Sequence, residues 1–587
     1  MLDVLSLYLF LPLAILCHAQ TPPSNPFPAG NSTTDPLVVN LGVPYAEAPI
    51  GSLRWQASVP PSTVGNGTVV PATAYGYACP QTSDPTLSIT PFQPNGGVNE
   101  DCLVLNVWAP ADATDLPVFV YIHGGGYDSG SSSSFDVPFM VKNAKDKFIG
   151  VAIQYRLGAF GFLASEDVHN SGVVNAGLYD QYLALQWVQR YINLFGGNSS
   201  AVTLAGGSAG AGAAMLQAMA YGGQVNDTLF DRIFATSPYL PQQFNYSDSM
   251  PTDNYYSFAQ EAGCYDPTTG DKSNIFQCLV GQDTIILQNA SSIVNNRARF
   301  GHGAFEPTTD GIFVQDIPSA QLTNGNLNGN YALIGNNADE GEMFVPPNIT
   351  TDAGFTAFVK FLYPLLDDND MLQVQELYPA IDGISTTRYA TDGLDNTTNA
   401  VNVSPFVTGH QQRANNLYAE TTFDCPAQWL AEGFSRNGRQ SYKFQYSILT
   451  SLHGNDLYSY MNLGNSLPSN MAQAFRDAVI SFMNSFISTG SPSDETIYNT
   501  TVPLDTASVL KNWSSYSLDS PLQMNLNQTG GTPAITNDPR DPYHIEVIVY
   551  NDPGLSPLFS LVDAYNWEGG RGKRCDFWKS IGYKVPG

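Results

Sequence analysis

The chain has 587 residues, 43% of them hydrophobic and 12% aromatic, enough for a large core and too apolar for a disordered chain. Its 24 Lys and Arg against 52 Asp and Glu give a formal net charge of −28, a field that repels phosphate backbones and anionic membranes. That balance argues against a nucleic-acid partner and says nothing positive about a substrate.

The N-terminus reads "MLDVLSLYLFLPLAILCHAQ". An apolar run from Leu5 to Leu16 precedes Cys17-His18-Ala19, a small-x-small cleavage pattern, which predicts a signal peptide over residues 1–19. Asp3 stands where a basic residue is usual, and a buried N-terminal helix is the alternative. No other apolar run is long enough to span a bilayer, and "YKVPG" is neither an anchor nor a retention signal, so a secreted, extracellular protein without a stable membrane anchor is expected. Sequons at Asn31, Asn66, Asn198, Asn226, Asn245, Asn289, Asn348, Asn396, Asn402, Asn499, Asn512 and Asn527 predict N-linked glycans. Removing the leader also removes Cys17. The remaining Cys79, Cys102, Cys264, Cys278, Cys425 and Cys575 then suggest three disulfides whose connectivity spacing leaves open.

No repeat, charge block or linker divides the chain. "PVFVYIHGGG" reads as a buried strand entering a glycine loop, and "FIGVAIQYRLGAFGFL" holds another strand. "GLYDQYLALQWVQRYINLFGG" has helical spacing at Leu178, Tyr182, Leu185 and Val188 before a Gly-Gly stop. Alternating strands and helices predict an α/β fold with a largely parallel sheet covered on both faces. Within it, "AVTLAGGSAGAGAAMLQAMAYGG" reads as strand, turn, helix, and places Ser208 in a G-x-S-x-G turn. Only tiny neighbours let strand and helix approach closely there, and the helix N-terminus favours negative charge on a substrate oxygen. The bland alternative is a small-residue packing seam.

"HGGGY", His123 to Tyr127, supplies glycines whose amides can turn inward as an oxyanion site. For a base the mature chain offers His123, His169, His302, His410, His453 and His544. The chain order Ser, acid, His of this strand-turn-helix class favours His453 in "SLHGNDLYSY" and an acid near 340 in "ALIGNNADEGEMF", leaving His410 and His544 open.

At this point the sequence resembles a type-B carboxylesterase/lipase, the α/β-hydrolase family that includes cholinesterases and fungal triacylglycerol lipases. The matching motifs run nearly end to end: "GVPYAEAPIGSLRW", "EDCLVLNVWAP", "PVFVYIHGGGYDSG", "YRLGAFGFL", the 175–211 stretch around Ser208, "FEPTTDGIF", "IGNNADEGEMF", "HGNDLYSY" and "FWKSIGY". The resemblance implies one α/β-hydrolase domain over 20–587, without metal or organic cofactor. It implies Ser208 as nucleophile, His453 as general base then acid, and Glu340 rather than Asp339 as the orienting carboxylate. It implies oxyanion amides from Gly125, Gly126 and Ala209, and disulfides Cys79–Cys102, Cys264–Cys278 and Cys425–Cys575. Arg54 with Glu100, and Arg156 with Asp180, are expected as structural ion pairs.

Two departures bear on substrate. Gly207 replaces the acidic residue that cholinesterases carry before the nucleophile. Phe92 stands where they carry a Trp, and a Phe face binds cations more weakly. The loop between Cys79 and Cys102 has few apolar side chains and no helical stripe, so weak interfacial activation is expected. "FTAFVKFLYPLL", Phe355 to Leu366, reads as core, with a wall of the acyl pocket as the sharper alternative. The expectation is a secreted serine carboxylic-ester hydrolase acting on small-molecule or lipid esters through an acyl-enzyme. A lipase or sterol esterase for long-chain lipids is the nearest alternative, and a non-enzymatic adhesion protein the other.

Overall fold

The computed structural model describes residues 37–62, 71–82, 97–144, 148–380, 406–463, 466–493 and 502–587. The expected leader, the sequons Asn31, Asn66, Asn396, Asn402 and Asn499, and Phe92 with most of its disulfide loop lie outside the described residues. Among the described residues one sheet takes ten strands: β1 (Leu37–Pro44), β2 (Val104–Pro110), β3 (Leu116–Ile122), β4 (Ile149–Ile153), β5 (Gly197–Gly207), β6 (Arg232–Thr236), β7 (Tyr331–Asn337), β8 (Gln440–Tyr446), β9 (Leu522–Thr536) and β10 (Val547–Asp563). Their order is β1-β2-β4-β3-β5-β6-β7-β8-β9-β10. The run from β4 to β9 is parallel, and antiparallel pairs close both sides.

The central strands are near-continuous apolar runs because both faces of the sheet are covered. In β3, Val118, Val120 and Ile122 join the larger core, which the helices Ala176–Tyr191 and Ala209–Met219 cover. The alternate residues Phe119 and Tyr121 join the second core with Phe475 and Phe482 of the helix Gln473–Thr489. In Ala176–Tyr191 the expected face is buried at Leu178, Leu185 and Val188 and half-buried at Tyr182. Gly196, at φ 83°, ends the following turn and lets Gly197 begin β5.

Arg54 donates Nε to Glu100 Oε2 at 2.8 Å and Nη2 to Oε1 at 2.6 Å. Arg156 grips Asp180 in the same two-pronged way at 2.8 and 2.7 Å. Both pairs are buried and lie in scaffold positions, as expected. Within the segment 355–366 one face is core, with Phe355, Val359 and Leu362 fully buried, while Phe361 and Leu365 are exposed, and none of it lines the cavity described below.

The three disulfides join Cys79 to Cys102, Cys264 to Cys278 and Cys425 to Cys575. The last spans 150 residues of sequence and ties the helix Cys425–Phe434 to the helix Trp567–Ser580. Opening it as Cys425→Ser/Cys575→Ser should cost up to roughly 4–5 kcal/mol by loop entropy. Denaturant unfolding checks this; an unchanged midpoint would refute it.

Candidate active site

The site grows from the ends of parallel strands, where loops converge. β5 stops at Gly207 and the helix starts at Ala209, so Ser208 alone makes the turn, with φ 57° and ψ −129°. A non-glycine residue at positive φ is strained, and the surrounding packing holds it. A Cβ on Gly206 would lie 2.2 Å from the Gly210 carbonyl carbon, and one on Gly210 would lie 2.1 Å from Ile122 O. The seam of small residues and the tight turn are therefore the same device: glycine lets strand and helix close on Ser208. Gly206→Ala should push the turn aside and lower kcat by about 10²-fold. A rate within twofold of the parent would show that the turn tolerates the methyl group.

Beyond β8, the loop that follows residue 446 carries His453, whose Nε2 lies 2.9 Å from Ser208 Oγ. Its Nδ1 lies 2.5 Å from Glu340 Oε2. Glu340 is fully buried three residues past the end of β7, and its other oxygen is fixed by three donors. Ser237 Oγ–H and the Asn337 backbone N–H each donate to Oε1 at 2.6 Å, and Asn337 Nδ2 at 3.2 Å. The imidazole is packed by the rings of Phe423 at 4.4 Å and Phe344 at 5.2 Å.

Phe423 sits in a π-helical turn, Glu420–Asp424, held from behind by the C-terminal helix. Arg574 donates to both Glu420 oxygens at 2.7 and 2.6 Å, and Arg571 pairs with Asp424 at 3.4 Å. Burial raises the Asp424 carboxyl to about 8; Arg571 opposes this, and the nearby Glu340 charge adds to it. Burial lowers Lys443 to about 7. Asp456, beside the cavity, is also raised by burial, opposed by its bond from Asn337. These shifts carry a stability consequence. Between the ordinary aspartate value of 3.8 and about 8, only unfolded Asp424 releases its proton, so stability falls as pH rises through that interval. Lys443 differs from its ordinary 10.5 only above about 7, so the range below 7 isolates the carboxyls. Thermal unfolding of Asp424→Asn against the parent, between about pH 4 and 7, should show a shallower decline for the variant; parallel curves would refute the account.

β3 delivers the glycine loop. Gly125 and Gly126 have φ of 116° and 62°, and a Cβ on Gly125 would lie 2.3 Å from Ser129 O. This loop faces one cavity of about 360 Å³ with Gly207, Ser208 and His453, whereas Ala209, the first residue of the helix, is buried and lies outside the cavity's lining. His123 is not part of it: buried, stacked 4.5 Å from Tyr155, it sets Nδ1 2.9 Å from Gly124 O. Burial lowers its pKa to about 4, so it stays neutral and steadies the loop. His169 stacks on Tyr246, His410 contacts Arg413, and His544 is exposed.

Ser237, Asn337 and Phe423 belong to the constellation but escaped the sequence reading. Asn337 stood inside "IGNNADEG" as a visible polar neighbour of the acid. Ser237 and Phe423 lie 103 and 30 residues away from Glu340 and His453 in sequence and carry no local signal.

A family model described as the Carboxylesterase family matches residues 29–541. The chain is 34% identical over 322 residues to an acetylcholinesterase of Danio rerio, covering 53% of this chain and 48% of that relative's length. It is 28% identical over 509 residues to the carboxylesterase patB of Aspergillus clavatus, covering 77% of this chain and 84% of the relative. The crystal structure of Aspergillus niger EstA superimposes with a TM-score of 0.70 at 24% identity, covering 94% and 96% of the two chains, a likeness that bears on the fold alone.

Proposed function

The chain belongs to the carboxylesterase family, and we propose that it hydrolyses carboxylic esters through an acyl-enzyme on Ser208. The carrying observation is the unbroken line from Ser208 Oγ through the His453 ring to Glu340. His453 Nε2 takes the serine proton as Oγ attacks the ester carbonyl. Amides of Gly125, Gly126 and Ala209 receive the negative charge on the former carbonyl oxygen, and Glu340 offsets the imidazolium. His453 returns the proton to the departing alcohol. Water, activated by the same imidazole, then frees the acid and restores the serine.

The test is covalent. A serine-directed phosphonate ester should add its mass to the tryptic peptide containing Ser208, with loss of ester hydrolysis in step. Labelling elsewhere with full loss of activity would move the nucleophile. Initial rates on p-nitrophenyl esters from acetate to palmitate would set the chain-length preference. A jump in rate on emulsified substrate would favour the lipase alternative.

Export supports the same reading. Three disulfides suit an oxidising compartment, and among the described residues no helix is long and apolar enough to cross a membrane. Asn226, Asn245, Asn289, Asn348 and Asn512 are exposed and fit to carry glycans, whereas Asn527 is buried in β9. Intact mass before and after enzymatic deglycosylation tests this.

A further inference from the structure

β9 pairs with β8 only over Gln523–Leu526, then runs on with β10 as a two-stranded arm as far as Thr536. Because β9 is parallel to β8, the arm leaves the sheet at the strand ends where the Ser208 turn and the loops of Glu340 and His453 lie. The ladder shifts register between Asn551 and Leu555, at Gly530 and Gly531, whose φ of 85° and 81° suit a bend there. Beyond this bulge Val547 and Val549 are buried with Ala338, Leu449 and Leu452, whereas Ile548 between them is exposed. One face of the arm therefore rests on the end of β7 and on the loop that carries His453.

The turn at the tip of the arm brings Arg540 and Asp538 to the same loop. Arg540 donates Nε to Asp538 Oδ1 at 3.1 Å and Nη2 to Oδ2 at 2.9 Å. Nη2 also donates to Asn455 Oδ1, and Nη1 to the His453 carbonyl at 3.4 Å. Asn455 Nδ2 donates in turn to Thr450 Oγ1 at 3.2 Å, and the Thr450 hydroxyl donates to Asp538 Oδ2 at 3.4 Å. The four side chains close a ring that grips residues 450 and 455, one on either side of His453. Burial works to raise the Asp538 carboxyl, but the bonds and charge of Arg540 outweigh it and hold it below its ordinary range, so the ring keeps its anion. The inner side of the loop is held separately. There the Asp339 N–H donates to Ser451 O at 3.0 Å, and the Asp456 N–H to Asn337 Oδ1 at 3.1 Å.

Resting on the ester-hydrolase reading, we propose that Arg540 is a positioning residue that, from the tip of the arm, fixes the His453 loop so that Nε2 stays within hydrogen-bond distance of Ser208 Oγ. Arg540 is not among the residues lining the cavity around Ser208, so its effect passes through the placement of the imidazole. Without Arg540 the arm holds the loop mainly by the apolar contacts of Val547 and Val549, which carry no direction. Direction is what a base needs, since misplacing a reacting group by an ångström costs about 10²-fold in rate.

Arg540→Met, which keeps the length of the side chain and removes its donors, should lower kcat for p-nitrophenyl butyrate by about tenfold and leave KM within about twofold of the parent. The side chain is 31% exposed, so the substitution leaves no hole in the core. Arg540→Lys, which keeps the charge and can reach one of the acceptors, should recover part of the loss. Asp538→Asn leaves Arg540 in place without its carboxylate partner. It should lower kcat in the same direction by less, and it covers the case of a Met variant that does not fold. Combined with Arg540→Met it should add little, because both substitutions break one ring. A kcat within twofold of the parent in Arg540→Met, a loss carried by KM alone, or strictly additive effects of the two substitutions overturns the proposal. Failure of the folded parent to hydrolyse any p-nitrophenyl ester from acetate to palmitate overturns the ester-hydrolase reading instead.

Discussion

Ser208→Ala should lower kcat by roughly 10⁵–10⁶-fold and leave thermal unfolding nearly unchanged. On the proposed mechanism the hydroxyl oxygen is the atom that forms the bond to carbon, and a methyl group offers nothing in its place. The turn itself is held by glycines at 206 and 210 and by the Ser208 backbone N–H donating to Thr236 O at 3.0 Å, none of which the substitution touches. Removing Oγ also leaves His453 Nε2 exposed to cavity water, so no buried group is orphaned. The measurement is single-turnover and steady-state hydrolysis of p-nitrophenyl butyrate alongside a melting curve. Turnover near the parent rate would mean that another group is the nucleophile, and a collapsed melting temperature would mean that the serine is structural.

Glu340→Gln is the second large effect, about 10⁴-fold in kcat. The argument is geometric. Oε1 receives Ser237 Oγ–H, the Asn337 N–H and Asn337 Nδ2, so three donors force the glutamine to keep its carbonyl oxygen there. The amide nitrogen then falls at the Oε2 position, 2.5 Å from where His453 Nδ1 lies, and donates to it. The ring answers by holding its own proton on Nε2, pointing at Ser208, where a base needs a lone pair. Shape is preserved and the tautomer is wrong. Loss of the negative charge removes the stabilisation of the imidazolium as well. Ser237→Ala should act in the same direction but weakly, because two donors still hold Oε1. A Glu340→Gln enzyme within tenfold of the parent would show that the carboxylate is dispensable.

Much of this arrangement was legible in the residues. The apolar runs and helical patterns around 116–219 pointed to the alternating strands and helices, because burial on both faces makes such strands read as apolar runs. Ser208 announced itself through Gly206 and Gly210, which are needed by contact rather than by habit. Separating His453 from His410 and His544, and Glu340 from Asp339, rested on the family resemblance, since adjacent acids look alike until the end of β7 decides which one meets the imidazole. The supports were not legible. Ser237 reaches Glu340 from the end of β6, and Phe423 reaches His453 from a π-helical turn. Contacts between neighbouring strand ends arise from sheet order, which no local pattern encodes.

The last helix has a consequence for timing. Arg571 and Arg574 brace the turn that presses Phe423 against the His453 imidazole, and Cys575 locks the adjoining helix. All three residues are made after Ser208, Glu340 and His453 have already left the ribosome. A nascent chain that carries every reacting group thus still lacks the brace that holds its base in line. On the ester-hydrolase reading, hydrolytic competence follows the making of the helix Trp567–Ser580 and the closing of its disulfide, after every reacting group is already in place in the chain.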